Sequence, residues 1–257
     1  MKYSIATYNV NGIRSALSKG LLDWLSATNP DMICLQELKS QEDQLDLDLF
    51  RQLGYEAYLF PAEKKGYSGV GILSKHKPDN IVKGLGHDLY DFEGRSLRLD
   101  FGDWSLISTY FPSGSSGDER QSVKMDFLDY YQNYINELKK ERNKLVICGD
   151  FNICHRPIDI HNPISNAKSS GFLPEERAWM EQFLNSGFID SFRHLNKEPH
   201  HYTWWSFRAG SRGKNLGWRI DYACVSDNLE NKLRRAVILP EAKHSDHCPV
   251  FIEIDID

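Results

Sequence analysis

Short apolar or alternating runs recur along most of the chain. Residues 3–10, 32–36, 69–73, 97–101, 104–110, 145–149, 220–225 and 250–254 are each of strand length and bounded by turn-forming or polar residues. Four stretches, 20–28, 45–53, 119–142 and 174–185, read instead as helices. In 119–142 the apolar positions Val123, Phe127, Leu128, Tyr131, Ile135 and Leu138 form a stripe suited to covering a sheet. Pro174 fits a first helical turn, and Glu175 and Glu176 suit its positive end. Many strands interspersed with a few helices predict an α/β fold on stacked sheets. With no repeat, low-complexity tract or long linker, residues 1–257 are expected to form a single domain.

The informative polar residues share one habit: they fall at strand ends. Asn9 and Asn11 follow the first run, Glu37 closes MICLQE, and Tyr110 closes WSLISTY. Asp150 and Asn152 end KLVICGDFN, Asp221 sits early in RIDYACV, and Asp246 and His247 precede the last strand in SDHCPVFIEI. Strand ends that face one way converge on a crevice, where α/β folds bind ligands. Asp150 and Asn152, two apart, are expected on one side of an extended strand end. Glu37, Asp150, Asp221 and Asp246 could not all stay ionised together without a cation to offset them. Oxygen ligands with no cysteine partner suit Mg²⁺ or Mn²⁺ rather than zinc. Singly, such an Asp or Asn is more often a turn former than a catalyst. The conjunction with the words GDFN and SDHCP is what points to a site.

Composition narrows the class. At 257 residues the chain can bury a large core, and 40% hydrophobic with 26% charged residues describes a soluble globular protein. No apolar run approaches the ~18 residues of a membrane span, and MKYSIATYNVNG is no secretory signal, so a cytoplasmic protein without a membrane partner is expected. Cys34, Cys148, Cys154, Cys224 and Cys248 form no C-x-x-C pair, which predicts reduced thiols and no zinc site. A net charge of −5 excludes coating DNA by bulk charge but leaves room for one basic face. Between residues 202 and 219, Trp204, Trp205, Phe207 and Trp218 interleave with Arg208, Arg212, Lys214 and Arg219, with no acidic residue. That mixture fits a groove gripping phosphates and sheltering an extruded sugar, with a basic loop over buried tryptophans as the lesser alternative.

In order along the chain, YNVNGIRS, ICLQELK, GYSGVGILS, STYFPSG, VICGDFN, GFLPEER, GWRIDY and SDHCPV resemble the exonuclease III family of apurinic/apyrimidinic (AP) endonucleases. That family lies in the endonuclease/exonuclease/phosphatase superfamily, with DNase I and the inositol polyphosphate 5-phosphatases. The resemblance spans residues 5–254, and GFLPEER, GWRIDY and the paired tryptophans of YTWW point to the DNA-repair branch.

The resemblance implies a four-layer α/β sandwich, two packed mixed β-sheets flanked by helices. It implies Glu37 as principal metal ligand with Asn11 and Asp246, supported by Asn9. Asp150 would orient or deprotonate the attacking water and Asn152 fix it, while His247, held by Asp221, and Tyr110 contact the phosphate. Trp204, Trp218 and Ile220 would line a pocket for a baseless sugar, with Asn166 and Ser169 nearby. Arg14, Lys19, Lys65, Tyr67, Arg95 and Arg208 are candidate DNA contacts.

The implied protein is a monomeric, Mg²⁺-dependent enzyme, with Mn²⁺ as substitute, acting on double-stranded DNA at abasic sites or blocked 3′ ends and associated with the nucleoid through that substrate. It would cut 5′ to abasic sites and carry 3′-phosphodiesterase, 3′-phosphatase and 3′→5′ exonuclease activity. Asn11 stands where the vertebrate branch has aspartate, and Ser169 where that branch has asparagine. The Ser169 departure keeps a mainly 3′-end-processing enzyme as the alternative, with a small-molecule phosphoesterase behind it and a non-catalytic DNA-binding module last.

Overall fold

The computed structural model describes residues 1–256, among which twelve strands form. They are β1 Lys2–Asn9, β2 Met32–Gln36, β3 Glu56–Phe60, β4 Val70–Ser74, β5 Asn80–Lys83 and β6 Ser96–Phe101. The others are β7 Trp104–Tyr110, β8 Lys144–Asp150, β9 Phe188–Asp190, β10 Asp221–Ser226, β11 Leu233–Ile238 and β12 Val250–Asp255. Two six-stranded sheets result, ordered β11-β12-β1-β2-β4-β3 and β5-β6-β7-β8-β10-β9. Each is mixed: β1 with β2, and β7 with β8, run parallel, and the other neighbours antiparallel.

Alternation along each strand divides its side chains between two layers. In β1, Tyr3 and Ile5 face the second sheet, while Ala6 and Tyr8 face helices packed outside through Ile13, Leu21, Leu25 and Phe50. In β8, Val146 and Cys148 face inward, while Leu145 and Ile147 meet Phe127, Tyr131, Trp179 and Phe183 of the helices Asp118–Glu141 and Pro174–Asn185. The architecture is thus helix, sheet, sheet, helix. All five cysteines are buried and free. Among the described residues no helix is long and apolar enough to cross a membrane.

The inner rows change character toward one end of the sandwich. Ile5 is followed by Thr7 and Asn9, Cys34 by Gln36, Leu106 by Ser108 and Tyr110, and Cys148 by Asp150. In the antiparallel β10 the order reverses, from Asp221 to Ala223 and Val225. Polar groups this deep must pair with one another. Thr7 Oγ1 donates to Gln36 Oε1 at 3.2 Å, and Gln36 Nε2 donates across the sheets to Ser108 Oγ at 3.1 Å. The sandwich is greasy along most of its length and opens at this end into a polar mouth.

Candidate active site

Around that mouth the backbone leaves the strands in left-handed turns. Asn11, Glu37, Lys39 and Asn152 have φ of +44°, +52°, +49° and +53°. Such conformations cost of order 1 kcal/mol or more for residues with a Cβ, so the surroundings must impose them. Gly12 N–H bonds the Glu37 carbonyl at 2.8 Å, and Lys39 N–H bonds the Ser68 carbonyl at 2.9 Å. Asn9 Oδ1 accepts from Asn11 N–H at 3.0 Å, and Asp150 Oδ1 from Asn152 N–H at 2.8 Å. The expectation that Asp150 and Asn152 share one side of an extended strand is therefore corrected. β8 ends at Asp150, and a side-chain turn, not strand alternation, swings Asn152 back beside it.

The side chains form a connected set. Asn9 Nδ2 donates to Glu37 Oε1 at 2.8 Å and to Asp150 Oδ2 at 2.9 Å, joining the two sheets. Asn152 Nδ2 donates to the Phe111 carbonyl at 3.0 Å. His247 Nδ1 lies 2.9 Å from Asp221 Oδ2, and its Nε2 lies 3.9 Å from Asp150 Oδ2. Asp246 accepts from Asn11 Nδ2 at 2.9 Å and from Trp204 Nε1 at 3.0 Å. Glu37, Tyr110, Asp150, Asn152, Asp246 and His247 line a cavity of about 410 Å³ together with Trp204, Trp218 and Ile220, the Trp204 ring lying 6.5 Å from that of His247. Trp204 and Trp218 meet edge to face, 6.1 Å apart, over a small apolar cluster with Phe172 and Ile160.

Burial and neighbouring charge perturb these groups strongly. Burial, reinforced by the Asp221 carboxylate, pushes Asp150 up to about 8. Burial alone would depress His247, but Asp221, Asp150 and Asp246 outweigh it and push the imidazole up to about 10. Burial and the nearby Glu37 carboxylate raise Tyr110 well above the ordinary phenol range. Burial works against the Asp246 charge, yet His247 and the Trp204 and Asn11 hydrogen bonds hold its carboxyl low.

This donor set fits a divalent cation. Glu37, Asp150 and His247 each offer a ligand atom within 4.8 Å of the others. The Lys39 ammonium stands 2.7 Å from Glu37 Oε2 and 2.5 Å from Asn11 Oδ1, so the spot already attracts positive charge. Asp221 occupies one nitrogen of His247 and holds the ring protonated, so the donors left for an ion are oxygens, the chemistry of hard ions.

The remaining expected residues divide. Arg14, Lys19, Lys65 and Arg208 are exposed cations. Arg95, expected at the DNA backbone, is 1% exposed. Its guanidinium donates to Glu93 at 2.7 Å, to the Tyr110 carbonyl at 2.9 Å and to the Tyr67 hydroxyl at 3.1 Å, so it braces Tyr110 and presents no face to a phosphate. Tyr67 belongs to the same network, donating to Glu93 at 3.1 Å. Arg219, from the tryptophan-rich segment, is likewise buried between Asp159 and Asp190, each at 2.7 Å. Arg212 donates to the carbonyls of Ser245, Pro240 and Ala242. Asn166 donates to the His161 and Asn162 carbonyls and accepts from Ser169 Oγ at 3.4 Å, so these two shape their own loop and do not line the cavity.

Sequence reasoning missed Lys39, the cavity residues Ser113, Ser115, Ser170 and Gly171, and Thr203, whose Oγ1 accepts from the Ile220 and Asp221 N–H groups at 3.1 Å. Lys39 had a signal, standing two positions after Glu37. Gly171 opens GFLPEER and Ser170 stands just before it, so the motif marks the place without assigning either residue a role.

Comparison with known proteins gives concordant results. The profile of the endonuclease/exonuclease/phosphatase family matches residues 6–247. An exodeoxyribonuclease of Bacillus subtilis is 39% identical over 254 residues, covering 98% of this chain and 99% of that protein. An AP endonuclease from Archaeoglobus fulgidus superposes with a TM-score of 0.89 at 30% identity, over 99% of this chain and 100% of its own. A 3′ phosphatase from Neisseria, solved with a product DNA hairpin, superposes with a TM-score of 0.91 at 26% identity, over 99% and 100%.

Proposed function

The chain belongs to the endonuclease/exonuclease/phosphatase family, and within it to the exonuclease III type of AP endonucleases; from that premise we propose the following chemistry. The protein is a Mg²⁺-dependent DNA-repair nuclease that hydrolyses the phosphodiester 5′ to an abasic site in duplex DNA. It also removes 3′-phosphates, 3′-phosphodiesters and 3′-terminal nucleotides. One observation carries this: a hydrolytic set, Asp150 and His247 among it, and the apolar side chains Trp204, Trp218 and Ile220 line a single cavity.

Asp150, raised to about 8 by burial and by Asp221, has a proton affinity suited to taking a proton from water near neutral pH. Asn152, braced by Phe111, holds that water and a phosphate oxygen in line. His247, kept protonated by Asp221, donates to another phosphate oxygen, and the Tyr110 hydroxyl donates beside it. Asn9 fixes Glu37 and Asp150 relative to each other. Glu37, with Asn11 and Asp246 flanking, would hold a divalent ion, which when bound would screen the charge of an anionic diester.

Selection follows from the apolar part of the cavity. Trp204, Trp218 and Ile220 offer an apolar surface that suits a deoxyribose without its base better than a nucleotide that carries one. Flipping costs least where no base is stacked, so abasic nucleotides enter most easily. Arg14, Lys19, Lys65 and Arg208 are exposed cations suited to following the DNA backbone.

The test is a duplex with an abasic analogue, run beside duplexes bearing a 3′-phosphate and a plain recessed 3′ end. Incision with Mg²⁺, lost on chelation and in Asp150→Asn, is expected. Absence of incision, or an undiminished Asp150→Asn enzyme, overturns the assignment.

A further inference from the structure

Behind the cavity two charged side chains are entirely enclosed. Lys124, in the helix Asp118–Glu141, and Glu176, in the helix Pro174–Asn185, are each 0% exposed. Lys124 Nζ donates to Glu176 Oε1 at 2.5 Å and to the main-chain carbonyl of Asn152 at 2.8 Å. Glu176 Oε2 accepts from the N–H groups of Gly171 at 2.6 Å and Leu173 at 3.0 Å. Gln121, on the same helix as Lys124, donates to Glu176 Oε1 at 3.1 Å and accepts from Ser170 Oγ at 2.7 Å.

The ends of this pair thus grip two stretches of backbone, Asn152 and residues 170–173, and both border the cavity. The two stretches also touch. Cys154 N–H bonds the Gly171 carbonyl at 2.7 Å. A Cβ on Gly171, whose φ is +92°, would come within 3.0 Å of the Asn152 carbonyl and 3.1 Å of the Trp218 ring. There is no slack between the turn that aims the Asn152 carboxamide and the wall that receives the sugar.

Stability alone gives little reason for an ion pair here. Taking two charges out of water offsets most of their attraction, and apolar residues of the same volume generally serve as well. Burial pulls Lys124 below the ordinary lysine range, with Glu176 working against that fall. What an apolar pair could not do is bond three main-chain groups at once.

We propose that Lys124 and Glu176 are positioning residues that lock the Asn152 turn to the wall at residues 170–173, so that one buried ion pair governs both the cleavage rate and the rejection of nucleotides that carry a base. This rests on the nuclease assignment above and extends it to residues that touch no substrate.

The experiment compares wild type, Lys124→Met and the volume-matched double variant Lys124→Met with Glu176→Leu. In each preparation kcat and KM are measured on an abasic duplex, together with nucleotide release from a plain recessed 3′ end. The ratio of the two activities within one sample cancels the folded fraction, so partial unfolding does not move it. Both variants should lose about 10- to 100-fold in kcat on the abasic duplex, with KM changed less than about threefold. The ratio of abasic incision to plain nucleotide release should fall about tenfold. Wild-type ratios in both variants, or a wild-type ratio and kcat in the double variant alone, overturn the inference. A wild type that cuts neither substrate overturns the nuclease assignment, and this inference with it.

Discussion

His247 Nδ1 and Asp221 Oδ2 lie 2.9 Å apart in a buried pair, and Asp221 in turn stands directly opposite Asp150 in the β8–β10 ladder. One carboxylate therefore biases both groups assigned to proton work. It holds the His247 proton on and raises the proton affinity of Asp150.

Asp221→Asn removes both influences. His247 falls from about 10, so its protonated form is lost at lower pH; Asp150 falls from about 8, so its ionised form survives to lower pH. Both limbs of the pH–kcat profile are expected to move toward acid, with kcat down ~100-fold or more. A profile that drops in height with both limbs unmoved counts against the coupling.

The Lys39 ammonium, 2.7 Å from Glu37 Oε2, competes with any ion drawn to that carboxylate. Raising Mg²⁺ should lift the melting temperature of the wild type by mass action, and Glu37→Gln should abolish most of that rise. Lys39→Gln should lower the half-saturating ion concentration by about five- to tenfold, read from the same thermal titration without any substrate.

Asp159, clamped by Arg219 at 2.7 Å and Arg193 at 2.8 Å, is held at about 2 even though burial opposes its charge. A carboxyl depressed on folding stabilises the fold above its unfolded value of 3.8 and loses that contribution as pH falls toward 2. Denaturant unfolding should show about 2 kcal/mol lost over that interval in the wild type. Asp159→Asn should be less stable at neutral pH, and its deficit should shrink as pH falls.

Gly171→Ala places a methyl 3.0 Å from the Asn152 carbonyl at a backbone φ of +92°. A loss of about 1–2 kcal/mol in stability is expected from the strained backbone. A fall in kcat on abasic DNA should exceed what that loss explains, measured well below the melting temperature.

The eight strands legible in the pattern all have sheet neighbours on both sides, and the four that were not, β3, β5, β9 and β11, are the four sheet edges. An edge strand pairs once and sits half in water. NIVK in β5 and LRRAVI in β11 thus carry exposed polar or charged residues where an inner strand needs apolar ones. The helix at Pro174–Asn185 matched its expected bounds because its signals, a proline and early acidic residues, act within one turn.

Site residues divided along the same line. Asn9, Glu37, Tyr110, Asp150 and Asp221 stand out in the chain because each interrupts or closes an apolar run, and burying such a run makes its polar end conspicuous. The roles of Arg95, Arg219, Lys124 and Glu176 could not be read that way. An arginine or lysine looks alike in sequence whether it meets water or lies between two carboxylates. For Lys124 and Arg219 the partners stand 28 to 60 positions away, Asn152 and Glu176 for the one and Asp190 and Asp159 for the other. Periodicity records which face of an element turns inward; which charge waits there depends on how the sheets and helices close on one another.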